Sequence, residues 1–286
     1  MFHNCALWER RKIKMIKIEY YQSDGSMKEM FYKKTTFSSG EIGITFDDIL
    51  PPDISIVVRA EVVTPDDIME LMLISDNLQH LYPNSKKSLI IPYIPFGRQD
   101  RRTNGERDAF SLKVFANIVN SFKYDNIFTY SPHSQAISLL FDQISCLEPY
   151  DNHTFKTLVP DITLSENTII VAPDNGAEKR CYKFAETYKI PDVYVCSKRR
   201  NAATGQITGM VAPNIPEDKD IIVVDDICDG GRTFIELEKV LPKNRKSLTL
   251  FVTHGIFSKG RQILLDSGYD NVYSYFNFIE KRLEQL

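Results

Sequence analysis

The residues best suited to chemistry lie in the stretch 219–236, KDIIVVDDICDGGRTFIE. Four apolar residues at 221–224 run without alternation into two aspartates, as in a strand buried on both faces of a parallel sheet. The glycines that follow let successive N–H groups face one concavity, where anions bind, and the carboxylates can accept hydrogen bonds from sugar hydroxyls. The stretch predicts a ribose-phosphate site rather than an ordinary strand-to-helix turn with a capping threonine. The residues of this predicted site are Asp225, Asp226, Asp229, Gly230, Gly231, Arg232 and Thr233.

Other charged residues follow other predicted strands. In open α/β sheets ligands bind beyond the carboxyl ends of the strands, so we expect these residues to converge at one sheet edge. Together they suit a polyphosphate bound with Mg²⁺. Taken singly, the histidine could be structural and the cationic run a solvated turn. The residues in question are Arg98, Gln99, Asp100, Arg101, His133, Asp174, Lys198, Arg199 and Arg200.

The elements that would position these residues alternate along the chain. Residues 15–46 predict three strands around a turn at 23–26, and 54–60 predict another. Thr64, Pro65 and two acids begin a helix, with a hydroxyl cap and proline in the first turn. Strands and helices then alternate up to a linker at 146–166, after which the alternation resumes. The pattern predicts an α/β protein of two halves divided near residue 147, each a mostly parallel sheet flanked by helices. The predicted later strands are 88–95, 125–131, 168–174, 192–197, 220–226, 247–255 and 271–276, with helices at 110–122 and 134–141.

Composition narrows the class of protein. The 286-residue chain is 43% apolar and 26% charged, as in ordinary globular proteins, and its net charge of −3 gives no footprint for nucleic acid. No apolar run approaches a membrane span, and the N-terminus does not resemble a secretory signal. The five cysteines lack CxxC spacing, which favours reduced thiols in the cytoplasm and argues against zinc. Residues 1–14 are expected to be an extension outside the fold.

Several segments together resemble the phosphoribosyl-diphosphate synthetases, the ribose-phosphate diphosphokinases. The aspartate pair with its glycine loop is shared by that family and by type I phosphoribosyltransferases. IPYIPFGRQDRR, SPHSQAISLLFD, PDNGAEKR, SKRRNAATGQITGM and VTHGIFS are similar to segments of the synthetases alone. The resemblance covers residues 36 to about 276. It implies two consecutive phosphoribosyltransferase-like domains, 1–147 with the ATP-binding segments and 148–286 with the catalytic loop and ribose-phosphate loop.

The resemblance also implies roles. The reaction would be Mg²⁺-dependent transfer of the β,γ-diphosphate of ATP to the C1 hydroxyl of ribose 5-phosphate, which releases AMP. Lys198 and Arg200 would be the catalytic cations, on the same side of an extended segment from which Arg199 points away, followed by a flap that closes over the site. His133 and Asp174 would help hold the metal. A homo-oligomer is implied, because FSSGE would reach the adenine bound by a neighbouring subunit. The ATP-binding residues would be Phe37, Ser39, Gly40, Glu41, Arg98, Gln99, Asp100 and Arg101.

Departures from the family pattern leave alternatives open. Gly230 and Arg232 stand where the pattern has threonine and glycine. Arg232 could pair with Glu236 four residues on, or it could face the pocket and favour a 5-diphosphoribose such as ADP-ribose as the acceptor. The family's first helix is replaced by a hairpin-like segment at 15–34. A catalytically silent regulatory subunit is a second alternative, although Lys198 and Arg200 are both present, and a phosphoribosyltransferase is a third.

Overall fold

The structure is a computed structural model that describes residues 15–22, 24–51, 54–150, 164–200 and 207–278. Two compact units divide the chain, one ending at Leu147 and the other beginning at Glu148. Each unit has its own sheet and its own buried apolar core. No helix within the described residues is long and apolar enough to cross a membrane.

The N-terminal unit is built on a six-stranded sheet with the order β2-β1-β5-β6-β7-β8. Strands β5 to β8 are parallel, whereas β1 runs antiparallel to both of its neighbours. β3 and β4 form a separate antiparallel hairpin. The strands are β1 (Ile16–Tyr21), β2 (Met27–Met30), β3 (Tyr32–Thr36), β4 (Ile42–Phe46), β5 (Ser55–Ala60), β6 (Lys86–Ile90), β7 (Asn126–Tyr130) and β8 (Ile144–Leu147).

Three helices of this unit follow the predicted positions, namely α1 (Pro65–Leu81), α2 (Ser111–Ser121) and α3 (Ala136–Leu140). The start of α1 is the capping box that its sequence predicts. The Thr64 side chain accepts a hydrogen bond from the Asp67 backbone N–H at 3.1 Å, and Asp67 Oδ2 accepts one from the Thr64 N–H at 2.6 Å. These two bonds satisfy backbone donors that the first helical turn leaves without partners.

Three features of this unit differ from the sequence prediction. Residues 15–46 form four strands rather than three, because the second predicted strand is broken at Phe31 into β2 and β3, which lie in different sheets. β6 ends at Ile90 and does not extend to residue 95, because Pro92 lacks the N–H that a central strand must donate. β8 was not predicted at all. It is a four-residue edge strand with three exposed residues, so it lacks the continuous apolar run that identified the other parallel strands.

The C-terminal unit contains a five-stranded, fully parallel sheet with the order β10-β9-β13-β14-β15. β11 and β12 form a small antiparallel pair outside it. The strands are β9 (Thr168–Ala172), β10 (Val193–Val195), β11 (Ser197–Arg200), β12 (Ile207–Val211), β13 (Asp220–Cys228), β14 (Ser247–Gly255) and β15 (Asn271–Asn277), and the described helices are α4 (Glu178–Tyr188), α5 (Arg232–Glu238) and α6 (Gln262–Leu265).

The apolar run at 221–224 forms the middle of the central strand β13. Ile221 and Val223 lie in one apolar cluster, whereas Ile222 and Val224 lie in another. Both faces of the strand are therefore buried, which confirms the reading of a non-alternating apolar run. The α/β class with two mostly parallel sheets is confirmed as well.

Candidate active site

A pocket of about 810 Å³ lies in the N-terminal unit beyond the end of β6. Its lining includes four residues that were predicted to bind ATP, together with the predicted metal-side residue His133. The structure therefore brings these five residues to one site within this unit. The lining residues are Arg98, Gln99, Asp100, Arg101, Thr103, Asp108, Ala109, His133, Ser134 and Gln135.

Asp100 organises the polar wall of this pocket. Arg101 donates to both of its carboxylate oxygens, at 2.8 and 3.0 Å, and Ser134 Oγ donates to Oδ2 at 2.7 Å. These bonds, that of Arg101 first, lower the pKa of Asp100 to about 2, so the carboxylate is ionised at neutral pH. Ser134 also accepts a hydrogen bond from the Ala136 N–H and so fixes the start of α3. The network links the 98–101 loop to the loop that carries His133.

Gln99 is held in place by the first residues of α2. Its side-chain Oε1 accepts a hydrogen bond from Ser111 Oγ at 2.6 Å, and its backbone carbonyl accepts from the Leu112 N–H at 3.3 Å. α2 therefore begins against the loop, whereas Arg98 is exposed at the pocket. A wall of ordered polar groups with an exposed guanidinium suits the recognition of phosphate.

The FSSGE segment forms the turn of the β3–β4 hairpin. The Phe37 N–H donates to the Glu41 carbonyl at 2.8 Å, and Ser39 Oγ donates to the Glu41 carboxylate at 2.9 Å. Gly40 has a φ of 87°, a conformation that side-chain-bearing residues rarely adopt. The Phe37 ring is 55% exposed. The four residues predicted to contact adenine are thus brought together at the tip of a hairpin.

In the C-terminal unit Asp174 and Lys198 are in direct contact. Lys198 Nζ lies 2.5 Å from Asp174 Oδ2, and each side chain is about one quarter exposed. The other oxygen, Oδ1, accepts a hydrogen bond from the Gly176 N–H at 2.8 Å. Lys198, a predicted catalytic cation, therefore forms an ion pair with Asp174, a predicted metal ligand. Arg200 is in β11 with Lys198, but the pairing with β12 shifts register between Arg199 and Arg200. The side chains of those two arginines and residues 201–206 of the predicted flap lie outside the described residues.

The aspartate pair lies within β13, which continues to Cys228, rather than beyond the end of a shorter strand. Asp226 is 4% exposed, and the Asp226 N–H donates to Asp225 Oδ1 at 2.8 Å. Burial, followed by the neighbouring charge of Asp226, raises the pKa of Asp225 well above its ordinary value. The pair is therefore a costly arrangement that requires compensation.

Arg180 of α4 provides that compensation, although no role for it was predicted from the sequence. Its Nη1 lies 3.2 Å from Asp225 Oδ1 and 3.7 Å from Asp226 Oδ1, and its side chain is 10% exposed. Burial acts to lower the pKa of the guanidinium, but the facing carboxylates, led by Asp226, raise it, so Arg180 stays charged. The sequence feature that could have indicated a role for Arg180 is its position at the end of PDNGAEKR, six residues after Asp174.

The glycine loop turns directly after β13. Gly231 has a φ of 74° and its carbonyl accepts hydrogen bonds from the N–H groups of Phe234 and Ile235, both at 3.0 Å. A Cβ on Gly231 would lie 3.1 Å from Leu264 Cδ2. A Cβ on Gly230 would meet only ordinary contacts, the nearest being Lys259 Cε at 3.8 Å. The turn thus requires glycine at 231, whereas the glycine at 230 leaves room beside the Lys259 side chain.

Arg232 is exposed at the first position of α5. The pairing with Glu236 considered from the sequence is not formed, because Glu236 pairs with Lys239 at 2.7 Å. Within the described part of the chain, Arg232 makes no ion pair. Thr233 is half-buried and Asp229 lies in the turn itself. The loop therefore has two cations beside it, Arg232 and Lys259.

The residues present suit Mg²⁺ that is held largely by phosphate oxygens. Asp174 is a partly exposed carboxylate, and its oxygen atoms are the hard ligands that Mg²⁺ takes. The described residues contain no group of three or more His, Cys, Asp or Glu side chains arranged to hold a metal. Sites with one or two carboxylates and several substrate oxygens are typical of Mg²⁺ bound with a nucleotide.

Comparison with known proteins connects these two sites to one family. The model described as the N-terminal domain of ribose phosphate pyrophosphokinase matches residues 23–122, and the phosphoribosyl transferase domain model matches residues 156–279. A ribose-phosphate pyrophosphokinase of Campylobacter jejuni is 30% identical over 227 residues, which is 78% of this chain and 71% of that protein. One from Buchnera aphidicola is 31% identical over 229 residues, covering 78% and 70% of the two chains.

The fold agrees with these matches. The crystal structure of phosphoribosylpyrophosphate synthetase from Mycobacterium smegmatis superposes with a TM-score of 0.71 at 22% identity, covering 85% of this chain and 79% of that one. The expectation of two consecutive phosphoribosyltransferase-like domains is confirmed by the two models and by this likeness. The chain therefore belongs to the ribose-phosphate pyrophosphokinase family, and it is an enzyme of that family.

Proposed function

We propose that the protein transfers the β,γ-diphosphate of ATP to the C1 hydroxyl of ribose 5-phosphate. The products are phosphoribosyl diphosphate and AMP. One observation carries the proposal: a single chain combines a cationic polar pocket in its N-terminal unit with a buried aspartate pair and glycine loop in its C-terminal unit. A phosphoribosyltransferase needs only the second of these.

The sugar would be held by the residues of β13 and the glycine loop. Asp225 and Asp226 accept hydrogen bonds from its ring hydroxyls, while the N–H groups of the loop and the hydroxyl of Thr233 bind the 5-phosphate. This arrangement leaves the C1 hydroxyl as the attacking group. Its oxygen forms a bond to the β-phosphorus of ATP, the bond from that phosphorus to the α,β-bridging oxygen breaks, AMP leaves, and the hydroxyl proton is lost.

The triphosphate would be bound by Arg98, Gln99 and the ordered wall around Asp100 and Arg101. We further propose that Phe37 and its hairpin serve the adenine bound by a neighbouring copy of the chain, because the ring is exposed at the tip of a hairpin. The protein would then act as a homo-oligomer.

Lys198 and Arg200 would neutralise charge that develops on the transferred phosphates. Transfers of this type depend on positioning and charge stabilisation, so they require no covalent nucleophile. Asp174 in the C-terminal unit would hold Mg²⁺ together with phosphate oxygens, and His133 would do the same at the pocket of the N-terminal unit. When bound, the metal supplies charge neutralisation on those oxygens. For Lys198 to act on phosphate, its ion pair with Asp174 has to exchange for a pair with the substrate.

The test is direct. The protein is incubated with Mg-ATP and with ribose 5-phosphate or ADP-ribose, and the products are identified by mass. The proposal predicts phosphoribosyl diphosphate and AMP in equal amounts. Formation of ADP as the stoichiometric product would contradict it.

ADP-ribose remains a second candidate acceptor because of two observations at the loop. Arg232 is exposed and is not engaged by Glu236, and the Lys259 side chain lies beside Gly230. Two cations could hold more phosphate oxygen than a terminal 5-phosphate presents. If Arg232 serves the acceptor, Arg232→Gly shifts the ratio of kcat/KM toward ribose 5-phosphate. An unchanged ratio would show that Arg232 does not affect the choice of acceptor. Lys239→Gly, at the C-cap of α5, is the control for loss of a cation near the same helix.

A further inference from the structure

One buried guanidinium faces both carboxylates of the aspartate pair. Asp225 and Asp226 are adjacent residues of one strand, and the guanidinium of Arg180 contacts both of them. All three side chains are largely buried, with exposures of 16%, 5% and 10% respectively. Without this guanidinium the repulsion between the two buried carboxylates would be less opposed, which favours uptake of a proton.

The geometry fixes Asp225 as well as neutralising it. Its Oδ1 accepts from Arg180 at 3.2 Å and from the Asp226 N–H at 2.8 Å. α4 itself is tied to the same strand, since the Cys181 thiol donates to the Val224 carbonyl at 3.3 Å. Arg180 is therefore carried to the carboxylates by a helix that is anchored one residue before them.

We propose that Arg180 is a positioning residue for sugar binding, which holds Asp225 and Asp226 in place and favours their ionised forms, so that they accept hydrogen bonds from the ribose hydroxyls. This inference rests on the proposed function of the aspartate pair. A protonated carboxyl would offer one oxygen fewer as an acceptor and would present a donor in its place. Arg180 acts through the carboxylates and not on the reacting atoms.

Four other titratable groups near the pair or its guanidinium add no positive charge. Burial raises the pKa of the Cys181 thiol beyond the working range and that of Cys228 to about 12, so both thiols stay neutral. Glu148 and Tyr150, which directly follow β8, face Arg180 and add no positive charge. The described groups that face the pair or its guanidinium include Arg180 and Cys181 of α4, Cys228 of β13, and Glu148 and Tyr150.

The test compares Arg180→Met, Arg180→Lys and the control Lys179→Met, which removes an exposed cation from the adjacent position of α4. kcat/KM for ribose 5-phosphate is measured from about pH 6 to about pH 9, because its acid limb reports the ionisation of groups in the free enzyme. Arg180→Met is expected to lower kcat/KM for the sugar roughly 100-fold and to move the acid limb upward by about one pH unit, as expected for loss of an arginine beside a carboxylate. KM for ATP should change less than about twofold, because the effect of Arg180→Met is confined to sugar binding.

Arg180→Lys separates charge from geometry. The ammonium keeps the charge but not the planar fork, so the acid limb should stay at the wild-type pH while KM for the sugar remains raised. If Arg180→Met does not fold, Arg180→Gln keeps a polar partner for the carboxylates without the charge, and the same upward move of the acid limb is expected.

Several results would overturn the inference. An unchanged pH profile in Arg180→Met, with only less folded protein, would make Arg180 structural. An equal upward shift in Arg180→Lys would show that charge is not the cause. Wild-type enzyme that makes no phosphoribosyl diphosphate would instead refute the proposed function, so the two failures are distinguishable.

Discussion

Three glycines in or near the glycine loop allow the loss of folding stability caused by an added methyl group to be predicted from the structure. Gly231 combines a φ of +74° with a close neighbour, Leu264 Cδ2 at 3.1 Å from an added Cβ. Gly260 has a φ of +77° but open space around it. Gly230 has neither feature, since its nearest neighbour would lie at 3.8 Å. The three positions therefore separate backbone strain from steric contact.

The expected losses follow from these two contributions. A side chain in the left-handed region costs about 1–2 kcal/mol, so Gly260→Ala should destabilise by that amount. Gly231→Ala adds a contact with the fully buried Leu264, and crowding of a packed core typically costs a further ~1 kcal/mol or more, for a total of about 2–3 kcal/mol. Gly230→Ala should lie within about 0.5 kcal/mol of wild type or stabilise slightly through the unfolded chain.

The assay combines thermal unfolding with sugar kinetics. For a protein of this size each kcal/mol of lost unfolding free energy lowers Tm by about 2–4 °C. Tm should therefore be highest in Gly230→Ala, lower in Gly260→Ala and lowest in Gly231→Ala. KM for ribose 5-phosphate should rise most in Gly231→Ala, because the loop must move away from α6 to admit the methyl group. Equal losses in Gly230→Ala and Gly231→Ala would refute this reasoning about the loop.

The remaining predictions concern charge. Lys198→Ala should lower turnover by roughly 10³-fold or more while ATP still binds, whereas Arg199→Ala should be far milder; similar losses in both would refute the assignment. Asp174→Asn should raise the Mg²⁺ concentration needed for half-maximal rate, and an unchanged titration would make Asp174 structural. Asp225→Asn should abolish sugar use yet raise Tm relative to wild type by more at pH 8 than at pH 5. The pKa of Asp225 is raised in the fold, so the stability that Asp225 contributes is fully present below about pH 3.8 and is lost as the pH rises through its folded pKa. A difference in Tm between Asp225→Asn and wild type that does not grow with pH would contradict this.

The sequence predicted most of what depends on local pattern. The capping box at Thr64 and Asp67 formed as its residues require, and the apolar run before Asp225 is buried on both faces. Both signals are short-range, because a cap or a two-sided strand is encoded within a few consecutive residues. The family resemblance drew on the same kind of contiguous motif.

The features that the sequence missed depend on partners distant in the chain. Arg180 meets Asp225 only because α4 packs against β13, a contact that joins residues 45 apart. Edge strand β8 is stabilised by pairing with β7 and not by burial of its own side chains. The Lys198–Asp174 pair likewise arises where β11 departs from the sheet, beside the loop that follows β9. No periodicity within a segment reports contacts of this kind.

The central claim is that an intact diphosphate moves from ATP to the C1 hydroxyl of a ribose phosphate. ³¹P NMR of protein, Mg-ATP and ribose 5-phosphate follows every phosphorus in one sample. AMP is expected to appear one-for-one with a diphosphate attached to C1 of the sugar. Accumulation of ADP, or of AMP with free pyrophosphate and unconsumed sugar, would contradict it.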